Sequence, residues 1–203
     1  MKQDKAVILE TARQVLADEL RELENLRASL NERFEAACLL ASECKGRVIF
    51  TGVGHSGHVG RKSAANMSSM RRPAFFLHAD EALHGELGLV TAEDVVILIS
   101  NSGETAEVLA ILPAIKRLGA KTIAITGNIA STLGKTCDIA LPIAAREEAG
   151  PFKFAGSASA LNSMALCDAL VMAVAAYTGL TEADYLEAHP GGAVGKMLKE
   201  KLG

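Results

Sequence analysis

The chain has 203 residues, 49% of them apolar, enough for one large domain or two small ones with a sizeable core. A formal charge of −3 gives no general reason to expect nucleic acid, and the absence of Trp, with 4% aromatics overall, argues against base- or sugar-stacking platforms. Cys38, Cys44, Cys137 and Cys167 match no zinc spacing and residues 1–20 carry no secretory signal, so the expectation is four reduced thiols in a cytoplasmic protein.

Residues 5–42 carry apolar side chains at helical spacing: Ala6, Leu9, Val15, Leu16, Leu20, Leu23, Leu26 and Leu30. The pattern predicts one long helix and a second over 34–42, an arm that packs on the domain or on a neighbouring subunit. Acidic residues mixed into its polar face argue against a membrane surface. From Arg47 the pattern changes. "RVIFTGVG" reads as a strand, followed by a helix from Gly57. "PAFFLH" reads as a short strand, "DVVILIS" as a strand followed by a helix over 105–118, and "KTIAITG" as a strand with a short helix near 131–136. "DIALPI" is the last strand, and a long apolar helix spans 157–178. No apolar run reaches bilayer length free of charges and glycines. Nearly all-apolar strands alternating with helices indicate a parallel sheet covered on both faces. The reading is one doubly wound α/β domain, residues 46–203, with an N-terminal helical arm, residues 1–45. Its site belongs at the carboxyl ends of the strands.

Two strand-to-helix loops are rich in hydroxyls. In "SNSGET", Ser100, Asn101, Ser102 and Thr105 surround Gly103. A helix N-terminus has unpaired N–H groups and partial positive charge, and hydroxyl donors with a glycine for close approach make a phosphate cradle. A plain N-cap would need only one such residue. In "FTGVGHSGHVGRK", Gly52, Gly54 and Gly57 fit the dinucleotide fingerprint, and Asp80 stands where a ribose-binding acid would be sought. Ser56 inside that turn fits one phosphomonoester held from two sides better than an extended pyrophosphate.

Acid–base candidates cluster near the same strand ends. Glu107 is in the first turn after the phosphate loop. Glu147 and Glu148 follow the last strand. His55 sits among the glycines of the first loop and can face a ligand. His58 belongs on a helix surface, and His84 lies in "DEALHGELG", a loop too polar for core. His189 opens "HPGGAVG", either a turn residue or a mobile acid–base group. With no H-E-x-x-H and only a weak His55/His58 pair, no metal is expected.

Together "GVGHSGHVGRK", "SNSGETAE", "HADEALHGELG" and "AHPGGAVGK" resemble the sugar isomerase (SIS) domain, and more narrowly the arabinose 5-phosphate isomerase family, over residues 46–198. The resemblance implies a five-stranded parallel sheet, a homotetramer or homodimer with sites at subunit interfaces, and aldose–ketose isomerisation of a pentose 5-phosphate. Its phosphate loop falls on Ser100, Asn101, Ser102 and Thr105, with Gly54 and Ser56 from the first loop. Its catalytic carboxylates fall on Glu107 and Glu148 and its catalytic histidine on His189, often presented by a neighbouring subunit. His84 matches a further histidine near the family's site. Three departures stand out. The family usually has Lys at the position of His55. After Glu148 it reads close to C-P-x-x-L-A-P-T-S-S, where this chain has "GPFKFAGSAS". It commonly carries two C-terminal CBS domains, and the expectation is an isomerase domain lacking them.

Moving a carbonyl between adjacent carbons needs a base at carbon, an acid–base group at the oxygens and oxyanion stabilisation. The expected carbon base is Glu148, with Glu107 as partner. His189 serves ring opening or proton shuttling, and His55 polarises the carbonyl. No redox or metal cofactor, nucleic acid or membrane is expected as partner. The alternatives are an isomerase of another phosphosugar such as a hexulose 6-phosphate, a non-catalytic sugar-phosphate sensor, and a nicotinamide-dependent oxidoreductase.

Overall fold

The structure is a computed structural model and describes residues 5–203. Residues 1–4 of the arm lie outside the described residues. Five parallel strands form one sheet in the order β2-β1-β3-β4-β5: β1 (Val48–Gly52), β2 (Ala74–His78), β3 (Val95–Ile99), β4 (Lys121–Thr126) and β5 (Ile139–Pro142). Every residue of β1 and β3 is buried, as nearly continuous runs of Val, Ile, Leu and Phe require when both faces are covered.

The two faces have separate cores. On one, Phe50, Ile97, Ile99 and Ile125 meet α1 (Ala6–Ser29), α2 (Glu32–Glu43), α3 (Gly54–Ser69) and α7 (Ala158–Tyr177). On the other, Ile49, Val96, Leu98 and Ala124 meet α4 (Ala79–Leu83), α5 (Ala106–Leu118) and α6 (Thr132–Thr136). Two last helices, α8 (Glu182–Ala188) and α9 (Gly192–Leu202), pack on each other after α7.

The expected elements are present, with three differences that have local causes. Helix α3 begins at Gly54 rather than Gly57, because Gly54 turns the chain at φ 56° and the Gly57 N–H already reaches the Val53 carbonyl. The "DEALHGELG" stretch is not a plain loop. Ala79 and Ala82 are buried in the second core, His78 Nδ1 accepts the Asp80 N–H, and a 3-10 turn follows at Glu86–Leu89. The arm divides into two helices as expected, but α2 begins at Glu32 rather than at 34, because extended backbone at Leu30 lets the Asn31 side chain accept the Arg33 N–H.

The arm is part of the core: Leu26, Ala37, Cys38 and Ala41 are buried in the first cluster. Its inner face also buries Asp18 and Glu22, while Ile8, Leu9, Leu16 and Leu20 are each more than 60% exposed on the outside. Helix α7 is long and apolar enough for a membrane span by length and composition, with Asp168 its one charge. In the fold it packs against α1, α2 and α3 as the central core helix. All four cysteines are free and buried. Burial pushes three of the thiols up, to about 11 at Cys38 and Cys137 and about 12 at Cys167, so these three are neutral and poorly nucleophilic.

Asn162 of α7 is fully buried and ties three segments together, its Nδ2 donating to the carbonyls of Glu22 and Ile143 at 2.9 Å each. Asn162→Ala removes both bonds and leaves the Ile143 carbonyl, unlike the intrahelical Glu22 carbonyl, without this donor, and the expected cost is about 1–3 kcal/mol. Urea unfolding should show a lower midpoint at unchanged slope.

Candidate active site

Strands β1 and β3 are adjacent, yet α3 covers one face of the sheet and α5 the other. The crevice between their carboxyl ends is the topological switch point of a doubly wound sheet. A cleft of about 370 Å³ opens there, lined by His55 and Ser56 of α3, by Asn101, Ser102 and Thr105 of the β3 loop, and by Glu148, Phe154, Ser159 and Ser163.

Three helix N-termini converge on it. Helices α3 and α5 have Val53 and Thr105 at their N-caps, and neither receives a side-chain cap. Thr105 spends its hydroxyl on Ser100, at 2.7 Å, instead of on its own helix. The polar residues of this loop therefore do not serve as an ordinary cap, and the partial positive charge at the helix end remains for a ligand. Gly103 sits at φ 68°. A Cβ there would stand 2.0 Å from Ser131 Oγ, so the loop packs where no side chain fits. Buried Ser100 accepts the Gly103 N–H at 3.0 Å, and Ser102 Oγ accepts the Glu104 N–H at 3.1 Å. Glu104 turns outward and accepts the Thr132 N–H at 2.7 Å.

The third N-terminus, that of α7, is occupied by Glu148. Its Oε2 accepts the N–H of Ser157 at 2.9 Å and of Ser159 at 3.1 Å, and the Ser157 hydroxyl at 3.1 Å. Burial acts to raise the Glu148 pKa, but the hydrogen bonds from Ser159 and Ser157 outweigh it and hold the carboxyl below the usual range. The side chain is half-buried and ionised at neutral pH, with the Ser157 bonds and the Ser159 N–H on Oε2 and the Ser159 hydroxyl also against the carboxylate. Glu147 is exposed, lines the adjoining cavity rather than the cleft, and lies 3.6 Å from Lys153.

The cleft thus gathers His55, Ser56, Asn101, Ser102, Thr105 and Glu148. Ser100 lies behind it as a support, and Gly54 starts α3 beside it. Glu107, half-buried in α5, is not among the lining residues, nor are His84 and His189. His84 is exposed at the end of α4. His189 ends α8, with its ring stacked on Tyr185 at 3.9 Å and Nδ1 against the Tyr185 carbonyl at 2.9 Å. Asp80, the candidate ribose ligand, lies on α4 beside His78, away from the cleft. Ser157, Ser159 and Ser163 were not singled out from the sequence. Their signal was "GSAS" at the start of a helix that follows two glutamates. Among the described residues no group of three His, Cys, Asp or Glu side chains is placed to hold a metal.

The fold and the cleft define a doubly wound α/β protein with a phosphate-sized cradle beside an ionised carboxylate. Residues 42–173 match the SIS domain model, and the chain belongs to that family. It is 42% identical over 189 residues to the arabinose 5-phosphate isomerase KdsD of Shigella flexneri, covering 93% of this chain and 58% of that protein. For KdsD of Pseudomonas aeruginosa the identity is 41% over 194 residues, with 96% and 60% covered. The chain therefore spans about three-fifths of the length of these relatives. The solved structure of Escherichia coli CFT073 c3406 in complex with arabinose 5-phosphate superposes with a TM-score of 0.88 at 37% identity, covering 93% of this chain and all of that one.

Gly103→Ala meets both the left-handed backbone and the Ser131 hydroxyl. The expected cost is about 1 kcal/mol or more. Inorganic phosphate binding, followed by titration calorimetry, should fall with it.

Proposed function

We propose that the protein is an aldose–ketose isomerase of a phosphosugar, interconverting D-arabinose 5-phosphate and D-ribulose 5-phosphate through an enediol. One observation carries the reading: an ionised carboxylate, Glu148, faces a cradle of helix N-termini and hydroxyls across a cleft of sugar-phosphate size. The likeness to two arabinose 5-phosphate isomerases and to a protein captured with arabinose 5-phosphate supports the same substrate.

The chemistry follows from the placement. Ser56, Ser102, Thr105 and the first amides of α3 and α5 bind the phosphate and anchor the chain of carbons, so that the reacting end reaches Glu148. Glu148 Oε1 takes the proton from C2 of the open-chain aldose. The electron pair moves into a C1–C2 double bond, and the carbonyl oxygen O1 gains negative charge. A donor at O1 neutralises that charge, the O2 proton is released, and Glu148 returns its proton to C1 to give the ketose. His55 at the mouth of the cleft is the group for O1. The electron pair stays within the sugar and only protons are exchanged, so the reaction calls for no redox cofactor.

Glu107, His84 and His189 enter this scheme through assembly. The exposed Ile8, Leu9, Leu16 and Leu20 face of α1 supports a homo-oligomer. In it, His189 of the partner subunit serves ring opening at a site between subunits. The compartment that fits a phosphosugar enzyme with four free thiols is the cytoplasm.

An assay over a panel of pentose and hexose phosphates tests the activity. Turnover of arabinose 5-phosphate is expected, and turnover of none of the panel refutes the reading. Ser102→Ala removes a hydroxyl donor to a charged group, a loss of roughly 1.5–3 kcal/mol. Phosphosugar affinity should weaken about ten- to a hundredfold. Glu148→Gln keeps the shape but cannot accept a proton, so solvent deuterium should no longer enter C1 or C2 while the sugar still binds.

A further inference from the structure

Glu148 sits in the middle of a segment, 146–150, that follows β5 and has no regular secondary structure. The chain bends just before the segment at Ala144 (φ 52°) and at its end at Gly150 (φ 74°), and its shape is fixed from the other end of the chain. Glu22, 1% exposed, accepts the Arg146 N–H at 2.8 Å. Asp18, 4% exposed, accepts the Gly150 N–H at 3.0 Å. The two carboxylates are four residues apart and so share one face of α1. They grip the segment two residues before and two residues after Glu148.

Burying two acids is costly unless their donors are in place. Here they are. Asp18 also takes Gln14 and Arg21, each at 2.9 Å, and lies 3.8 Å from Lys153. Glu22 takes Asn25 at 3.0 Å and lies 3.4 Å from Arg21. Lys153 in turn donates to the Glu148 carbonyl at 2.8 Å. The Gly150 N–H, then Arg21, hold Asp18 down to about 2. At Glu22 burial pushes up, but the Arg146 N–H and Asn25 prevail and the pKa is lowered. A groove of about 720 Å³ runs along this junction, but both carboxylates are already taken by protein donors.

We infer that Asp18 and Glu22 are positioning residues for the isomerisation: from α1 they hold the 146–150 segment so that Glu148 keeps its Ser157 and Ser159 bonds and presents its carboxylate to the sugar. The inference rests on Glu148 as the carbon base.

The test uses the full chain with Asp18→Ala and Glu22→Ala, beside the conservative Asp18→Asn and Glu22→Gln, which keep a carbonyl oxygen for the amide. Where an alanine variant fails to fold, serine at the same position, too short to reach the segment, takes its place. The truncated variants should lose about ten- to a hundredfold in kcat with KM within about twofold. Glu148 then loses N–H bonds that favour its charged form, so the acidic limb of kcat/KM should move up by roughly one pH unit. The Asn and Gln variants should restore most of both. Partial unfolding alone would scale kcat equally at every pH and leave the limb in place. Amide exchange at Ser157 and Ser159 reads the same contact without turnover: faster in the truncated variants, unchanged in the conservative ones. Wild-type exchange in folded truncated variants, with or without activity, overturns the inference. Full activity in Glu148→Gln would instead overturn Glu148 as the base, and is read separately.

Discussion

Strands β1 and β3 lie side by side in the sheet, paired from Val48 with Val95 to Thr51 with Leu98, and send their helices to opposite faces. That divergence is the constraint on which the site depends. It opens a crevice without any special loop, and it points the N-termini of α3 and α5 at the same volume from two sides. The hydroxyls of Ser56, Ser102 and Thr105 refine a binding potential that the backbone supplies. The full burial of both strands is what makes the arrangement rigid.

The electrostatics follow from the same geometry. Among the described residues the cleft at the α3 and α5 N-termini has no Lys or Arg in its lining, while Arg146 and Lys153 line the cavity that adjoins it at Glu148. An anion there is met by N–H dipoles and neutral hydroxyls, which are already ordered and need no counter-charge brought in from solvent. Glu148 would repel a phosphate nearby, and in the proposed reading the phosphate takes the α3 and α5 N-termini while the carboxylate is anchored at the third, that of α7. Opposing effects tune that carboxylate, burial against the Ser157 and Ser159 bonds, with the bonds prevailing.

The strands were legible because each is a short apolar run, closed by Gly, Ser or Thr in β1, β3 and β4, and the site loops because their hydroxyls exceed what a helix cap requires. Helix boundaries were less so. The start of α3 depends on a left-handed Gly54, and α4 on two alanines whose burial no local pattern shows. Glu148 was found, but its clasp by Ser157 and Ser159 was not, since small serines at a helix start read equally as a cap. Asp18 and Glu22 were hidden for a different reason. On a helix rich in charge an i,i+4 acid pair reads as solvated surface, and only the return of the chain 124 residues later buries it against backbone amides. Glu107, His84 and His189 lie outside the cleft, and periodicity along the chain does not encode which polar residues a cleft gathers.

The central claim is that phosphate and reacting carbons lie at opposite ends of the cleft, between α5 and α7. A crystal structure with arabinose 5-phosphate bound tests it most directly. The account predicts the phosphorus among Ser56, Ser102 and Thr105, with Glu148 Oε1 within hydrogen-bonding reach of C1 and C2 or their oxygens. A phosphate seated elsewhere, as in the groove between α1 and residues 146–153, or a sugar whose C1 and C2 lie away from Glu148, would contradict it.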